Sequence, residues 1–430
     1  MGAPTATVNV GAQTTLTATA IGADGQSVAT NIVWSSASPS IATVTQAGVV
    51  TGVAPGVASI AASAGGKSAQ TAVTVVPSGI ASSGAYTDVT IAPTGWTTCG
   101  RTTTNSVRCW GMNTVGQLGD GTTADRSTPV QVATSIAFAQ IASGDGQSCG
   151  VTASGDLYCW GNLSFVAGTL DLSPMPRQYS GSTSFVDVSI GANSACARAL
   201  GGAAYCWGEN QFGGVGDGTT SSRTTPVGVA GHFSFAQVVV GGDFACGRTL
   251  AGDAYCWGRN DLGQLGTGNT IDEPVPVSVK SGLAFATIGA STTYACGLTT
   301  DGAIYCWGDN LGVVQGTGPG GRSMVPTIVD SDQKFTALAT GLYHACALTA
   351  QGSAWCWGNN NHGELGDSTT TTRLAPVAVK GDLVFTKIAA GQWYSCGVTA
   401  SGAVYCWGYN GYGNLGDGTM DSRMTATLVR

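Results

Sequence analysis

The chain has 430 residues, a formal net charge of −7, only 10% charged residues, 66 glycines and 14 cysteines. That length allows roughly two to three domains. An acidic balance with no basic run gives no support to phosphate-backbone binding, and no apolar stretch approaches the ~18 residues of a membrane span.

Glycine and β-branched residues dominate, which argues for short strands joined by turns and against helices. Met1-Gly2-Ala3-Pro4 has neither the basic nor the apolar segment of a secretory leader. Either a leader has been removed or the chain never had one, and the cysteine pattern favours removal.

The first 77 residues contain no cysteine. Thr14 to Ala20 (TTLTATA) alternates as a half-buried strand does. Asn31 to Ser35, Ile41 to Thr45 and Ser68 to Val76 read as further strands, with turn chemistry at Gly22-Ala23-Asp24-Gly25, Ser38-Pro39-Ser40 and Gly65-Gly66. This spacing predicts a small β-sandwich over 1–77. The order Val33-Trp34-Ser35-Ser36, Ile41-Ala42-Thr43-Val44, then Gly48-Val49-Val50-Thr51-Gly52-Val53-Ala54-Pro55-Gly56 resembles the bacterial immunoglobulin-like domain of group 2. The resemblance implies an Ig-like fold, with a shortened first strand, of the kind that serves as stalk or spacer on bacterial surface proteins. Trp34 is expected in its core.

Residues 78–85 read as a linker, and 86–430 as seven copies of one unit. The first cysteine of the unit recurs at Cys99, Cys149, Cys196, Cys246, Cys296, Cys346 and Cys396. A second follows ten residues later, at Cys109, Cys159, Cys206, Cys256, Cys306, Cys356 and Cys406. Such a period marks a repeat architecture. In the fifth copy four strands are expected: Val275 to Val279, Phe285 to Ile288, Ala295 to Thr299 and Ala303 to Trp307.

If Cys296 faces Cys306, the hairpin between them has a three-residue loop, Thr300-Asp301-Gly302, whose last residue must be left-handed. Glycine stands there in six copies (Gly155, Gly202, Gly252, Gly302, Gly352 and Gly402), and Asn105, also tolerant of that conformation, in the seventh. The turn chemistry therefore supports opposed cysteines. Opposed Cβ atoms lie about 4.5–5.5 Å apart, close to disulfide range, so seven hairpin disulfides are predicted and with them an oxidising compartment. Free thiols are the alternative. Zinc is disfavoured, because a ten-residue spacing lacks the close cysteine pairs of structural sites.

Seven four-stranded units predict an all-β fold: a seven-bladed β-propeller behind the small N-terminal Ig-like β-sandwich. Thr425-Ala426-Thr427-Leu428-Val429 matches Thr225-Pro226-Val227-Gly228-Val229, so the C-terminal strand 425–429 is expected to complete the first blade and close the ring.

After each hairpin comes W-G-x-N, as in Trp110-Gly111-Met112-Asn113-Thr114-Val115-Gly116-Gln117-Leu118-Gly119 and Trp257-Gly258-Arg259-Asn260-Asp261-Leu262-Gly263-Gln264-Leu265-Gly266. This resembles the regulator-of-chromosome-condensation repeat, a seven-bladed propeller family, over all of 86–430. Kelch repeats share the period but not this motif. The second copy (Asn162-Leu163-Ser164-Phe165) and the fifth (Asn310-Leu311-Gly312-Val313-Val314-Gln315-Gly316) depart from it, so their loops are expected to differ in shape. The family includes guanine-nucleotide exchange on a nuclear GTPase with chromatin binding. Disulfides, acidic charge and the lack of a basic arm keep that role from being carried over.

Candidate chemistry is sparse. His232, His344 and His362 are the three histidines, and no nucleophile–base or metal-ligand pattern stands out. The Gly-Asp-Gly-Thr turns at Asp120, Asp217 and Asp417, with Asp367 similar, could ligate calcium, but Asp in this setting more often holds its own turn. No catalytic residue, metal or cofactor is predicted.

Binding follows from topology. The residues before each first cysteine and those after each W-G should share one face of the meander. That face carries Trp96, Asp243, Arg259, Tyr343, Trp393, Tyr409 and Tyr412, the candidate ligand-binding residues. Trp96, Trp393, Tyr409 and Tyr412 belong to the first and last blades, neighbours in a closed ring, and exposed aromatic clusters mark interaction sites.

The sequence thus points to a secreted, surface-displayed or periplasmic bacterial binding protein that recognises a protein or glycan. It is expected to be part of a larger surface protein or assembly, to bind no nucleic acid and to be no enzyme. The alternatives are a structural module of a surface assembly or, less favoured, a polysaccharide-active enzyme; paired carboxylates would be its minimum, and Asp145 and Asp243, both on the face, stand two blades apart, too distant for such a pair.

Overall fold

The computed structural model describes residues 6–430 apart from 23, 55, 77–83, 165–170, 180, 182, 312–313 and 316–320. The regular elements among the described residues are β-strands, and they divide into two compact units, Met1–Ala85 and Tyr86–Arg430. Residues 78–83 of the expected linker lie outside the described residues, as do Phe165 of the second W-G-x-N loop and Gly312, Val313 and Gly316 of the fifth.

The N-terminal unit contains β1 (Ala6–Asn9), β2 (Gln13–Thr15), β3 (Val33–Ser36), β4 (Ala42–Val44), β5 (Val49–Gly52), β6 (Gly56–Ala64) and β7 (Lys67–Val76). They form two sheets, in the orders β1-β7-β6-β3 and β2-β5-β4. The core between them holds Val8, Trp34, Ala42, Val50, Ala58, Ile60, Val73 and Val75. The Gln46 side chain fixes Trp34 in place: its Oε1 accepts the Trp34 N–H at 3.1 Å and its Nε2 donates to the Trp34 carbonyl at 3.0 Å. The strand expected over Thr14 to Ala20 stops at Thr15. Residues 16–20 keep the alternation of half-buried and exposed side chains but form no strand: their backbone bonds outside the segment are those from Leu16 N–H to the Gly48 carbonyl and from Val28 N–H to the Ala20 carbonyl, both at 2.9 Å.

The second unit is seven four-stranded antiparallel sheets, each built from four consecutive strands. The first blade is β8 (Tyr86–Ile91), β9 (Thr97–Thr102), β10 (Val107–Gly111) and β11 (Arg126–Gln131). The seventh is Phe385–Ala390, Tyr394–Thr399, Val404–Gly408 and Arg423–Leu428. The first strands of successive blades contact one another around a closed ring.

The C-terminal strand thus completes the seventh blade, which corrects the expectation that it completes the first. Tyr405 pairs with Leu428, Cys406 with Thr427 and Gly408 with Arg423. The cause is the W-G-x-N loop, which folds back and lays the next strand against the third strand of its own blade. For the same reason the strand read at Val275 to Val279 belongs to the fourth blade, as Glu273–Ser278, paired with Ala254–Gly258.

The ring closes by bonds that recur at other junctions. Trp110 Nε1 donates to the Asn414 carbonyl at 3.0 Å, as Trp160 does to Gln117 and Trp257 to Gly214. Tyr86 N–H donates to the Gly402 carbonyl at 2.9 Å, as Phe285 does to Gly252.

All seven hairpin disulfides are present: 99–109, 149–159, 196–206, 246–256, 296–306, 346–356 and 396–406. Their Cα atoms are 4.0–4.1 Å apart, the close spacing of a pair that exchanges no backbone hydrogen bonds. The hairpin loops have the three-residue form: Thr299 N–H bonds the Ala303 carbonyl, and Gly302 sits at φ 85°. Asn105 takes the same role at φ 60°. The pairs are buried, and they pack against the C-W-G tryptophan of the following blade, as Cys99 and Cys109 do with Trp160, Cys149 and Cys159 with Trp207, and Cys396 and Cys406 with Trp110 across the closure; those seven Trp side chains are wholly buried.

Candidate functional site

In each blade two connections emerge on one side: the link from first to second strand, and the W-G-x-N loop from third to fourth. A single backbone bond ties them together. Met112 N–H donates to the Trp96 carbonyl at 3.0 Å, Glu209 to Asn193 at 2.9 Å, Arg259 to Asp243 at 3.0 Å, Asn359 to Tyr343 at 2.9 Å and Tyr409 to Trp393 at 2.9 Å. Asn162 with Gly146 and Asp309 with Thr293 complete the set. The glycine of W-G makes this possible. Gly111 and Gly408 sit at φ 100° and 106°, and a Cβ there would lie 2.1 and 2.4 Å from the Trp96 and Trp393 carbonyl oxygens. The residue before each second strand and the residue after each W-G therefore stand side by side, seven pairs around one face.

The asparagine of W-G-x-N shapes the rest of each loop. Asn410 is fully buried; its Oδ1 accepts the Leu415 N–H at 2.9 Å, and its Nδ2 donates to the Thr419 and Asp421 carbonyls at 3.0 and 3.1 Å. Asp417 Oδ1 accepts the Thr419 N–H and hydroxyl, and its Oδ2 receives the Arg423 guanidinium. Desolvation alone would raise that carboxyl, but the Thr419 and Arg423 bonds outweigh it and hold it below the usual range. Asp120 with Arg126, Asp217 with Arg223 and Asp367 with Arg373 repeat the arrangement. These aspartates are committed to their own turns, and among the described residues no group of three or more His, Cys, Asp or Glu is placed to hold a metal.

Four of the seven candidate residues come together. The Trp96 ring lies 5.2 Å from Trp393, 4.8 Å from Tyr409 and 5.6 Å from Tyr412 between centroids. Trp393 and Tyr409 meet edge to face at 5.7 Å. All four are half-buried, so the cluster keeps an open surface. A fifth ring, His362, stacks on Trp393 at 4.7 Å and abuts Tyr409 at 5.2 Å.

Sequence reasoning missed His362, although the signal was there. It stands five residues after its C-W-G tryptophan, at the position of Tyr412 and of Phe212 in the third blade. Burial pushes the His362 imidazole below its ordinary value, favouring the neutral ring.

The other candidates lie elsewhere. Tyr343 is half-buried in the sixth blade, and no ring contact joins it to the cluster among the described residues. Asp243 and Arg259 pair with each other at 3.3 Å. Arg259 also binds Asp261 through two nitrogens, at 3.0 and 2.8 Å, and lies 4.8 Å from the centre of the Phe212 ring. His344 is fully buried, with Nε2 2.7 Å from the Ser395 hydroxyl, and burial drives its imidazole down to about 3. It is a packing residue.

Models of the regulator of chromosome condensation (RCC1) repeat match residues 106–151, 201–247, 251–298 and 351–398, and a second such model matches 185–213, 235–264, 335–364 and 385–414. The bacterial Ig-like domain (group 2) model matches 3–75. No curated protein sequence matches the chain. Among solved structures, human WBSCR16 is 18% identical, with a TM-score of 0.68 over 76% of this chain and 94% of that one. Yeast RCC1 (Prp20), solved bound to Kap60, is 19% identical, with a TM-score of 0.66 over 76% and 83%. The ectodomain of the receptor kinase CR4 from Physcomitrella patens is 22% identical, with a TM-score of 0.51 over 75% and 74%. At these identities the likeness concerns the fold.

Proposed function

This chain belongs to the regulator of chromosome condensation repeat family, with a bacterial Ig-like domain of group 2 at its N-terminus, and from that premise we propose that it binds a protein partner outside the bacterial cytoplasm through the W-G-x-N face of its propeller. The observation that carries the reading is the half-open cluster of Trp96, Trp393, Tyr409, Tyr412 and His362. Large, rigid rings with polar edges are the residues on which interface energy concentrates. A structural module with no soluble partner has no use for such a patch.

Seven disulfides support an oxidising environment, and we place the protein in the periplasm, at the cell surface or in the medium, with the Ig-like unit as spacer. Proteins of the same fold support protein over glycan as partner: yeast RCC1 is solved bound to Kap60. The face acts by binding and not by catalysis. Asp243, one of the two carboxylates an enzyme reading requires, is paired with Arg259.

The test is a panel of secreted and surface proteins, with a glycan array beside it, probed with the wild-type chain and with Trp96→Ala/Trp393→Ala. Saturable binding to a protein that the double variant loses supports the reading. Binding confined to glycans assigns the face to sugars. Protein binding that survives the double variant moves the site elsewhere.

A further inference from the structure

A second feature of the same face takes a different kind of contact. Between the first three blades lies a pocket of about 320 Å³, whose lining includes Met112, Gln117, Asp145, Gln147, Asn193 and Glu209. Two carboxylates line it, and no lysine, arginine or histidine does among the described residues. Neither Asp145 nor Glu209 has an ion-pair partner among the described residues. Unlike the turn aspartates, both are uncommitted.

The third observation is Gln147. It is 3% exposed, lines the pocket, and its Oε1 is buried with no hydrogen-bond partner. In the fifth, sixth and seventh blades the equivalent residue bridges to the next blade: Tyr294 sends its hydroxyl to the Gly341 carbonyl at 2.7 Å, His344 meets Ser395, and Tyr394 sends its hydroxyl to the Thr97 carbonyl at 3.1 Å; in the third, the Ser194 hydroxyl is buried without a partner, but Ser194 does not line this pocket. In the second blade this position makes no such bond through its carbonyl oxygen. A buried acceptor left empty is uncommon, because it forfeits its solvation without return.

We propose that this pocket receives a guanidinium group, supplied by an arginine side chain of the protein partner that the aromatic cluster engages. A guanidinium carries five N–H donors in a rigid plane and no acceptor. The lining offers what it lacks: two carboxylates, free to accept charge-assisted bonds, and one buried amide oxygen. The pocket adjoins the aromatic cluster through Met112, which lines it and whose N–H holds the Trp96 carbonyl. A basic side chain beside an apolar one on the partner would engage both. The inference rests on the reading of this face as a protein-binding face and names the chemistry of the partner.

The experiment titrates the full-length, oxidised chain, isotopically labelled for NMR, with N-acetyl-arginine amide and with its neutral isostere N-acetyl-citrulline amide. Arginine amide is expected to give saturable shifts confined to the amides around 112–117, 145–147, 192–193 and 209. Citrulline amide should bind at least about tenfold more weakly, and Asp145→Asn/Glu209→Gln should weaken arginine amide by at least about tenfold. Both substitutions are at exposed or half-exposed sites, so the fold is kept. Gln147→Met should weaken both ligands, since both present N–H donors to the amide oxygen. Equal binding of the two amides, shifts elsewhere, or no saturable response overturns the proposal. The broader reading fails separately: if arginine amide behaves as expected but Trp96→Ala/Trp393→Ala leaves partner binding intact, the pocket stands and the aromatic site falls.

Discussion

Glu364→Gln should stabilise the propeller at alkaline pH and leave it unchanged in mild acid. Glu364 stands in the sixth W-G-x-N loop where the first and fourth blades carry Gln117 and Gln264. It is fully buried, its Oε2 accepts the His362 N–H at 2.7 Å, and its Oε1 has no partner. Gln117 and Gln264 make the same bond through their amide oxygens, to Val115 at 3.0 Å and Leu262 at 2.9 Å, so glutamine fits this loop. Burial raises the Glu364 carboxyl from 4.5 to about 7, against the opposing effect of nearby backbone N–H groups. The folded state therefore holds the proton more tightly than the unfolded one. Stability from this group is full below pH 4.5 and is lost as pH rises through about 7. At 1.36 kcal/mol per tenfold, the difference amounts to about 3 kcal/mol above pH 8. Calorimetric unfolding of wild type and variant, disulfides intact, at pH 4 and pH 8.5 measures it. The curves should coincide at pH 4 and separate at pH 8.5, with the variant more stable. Equal gaps at both values, or a less stable variant at pH 8.5, would refute the reasoning, because charge burial would not then be what the glutamate contributes.

Other perturbations separate packing from recognition. Trp96→Ala should weaken partner binding at least about tenfold while destabilising the propeller by only about 1–2 kcal/mol, since the ring is half-exposed; surface plasmon resonance and calorimetry read the two effects. Asn410→Ala removes the acceptor for Leu415 N–H and the donor to the Thr419 and Asp421 carbonyls. It should cost about 3 kcal/mol, with hydrogen exchange accelerated at Leu415 before the neighbouring blades respond. Cys296→Ser/Cys306→Ser should destabilise by about 2–3 kcal/mol, as the loop it opens is short. The other six disulfides should stay intact, seen as a loss of 12 hydrogens on oxidation by intact mass, two for each bond.

Much of this was legible because the chain states it seven times. The cysteine pairs, the left-handed loop residue and the shared face each followed from one unit and recur in the structure. A periodic sequence, however, does not fix its own phase. The strand 425–429 resembles its six counterparts whichever blade it joins, and hydrogen bonds of the preceding loop decide the question. The charged candidates show what the letters leave out: Asp243 and Arg259 are 16 residues apart in the chain but stand paired across 3.3 Å. His362 is obscure as a histidine, since the three histidines occupy unrelated positions of the repeat; it becomes legible as a ring at the position of Tyr412. In the N-terminal unit, alternation persists through residues 16–20 without a strand, since alternation reports a half-buried surface and not a ladder partner.

The ten-residue spacing within every cysteine pair also bears on how the chain matures. Fourteen thiols can join in about 135,000 fully oxidised ways, a search that would ordinarily call for an isomerase. Here each thiol's correct mate is also the one it meets most often, because short loops close most readily. A blade can be oxidised correctly as soon as its hairpin has emerged, before the ring exists and without reference to the other six. The crosslinks thus select among conformations of one hairpin at a time, and the assembly of the ring proceeds from blades already sealed.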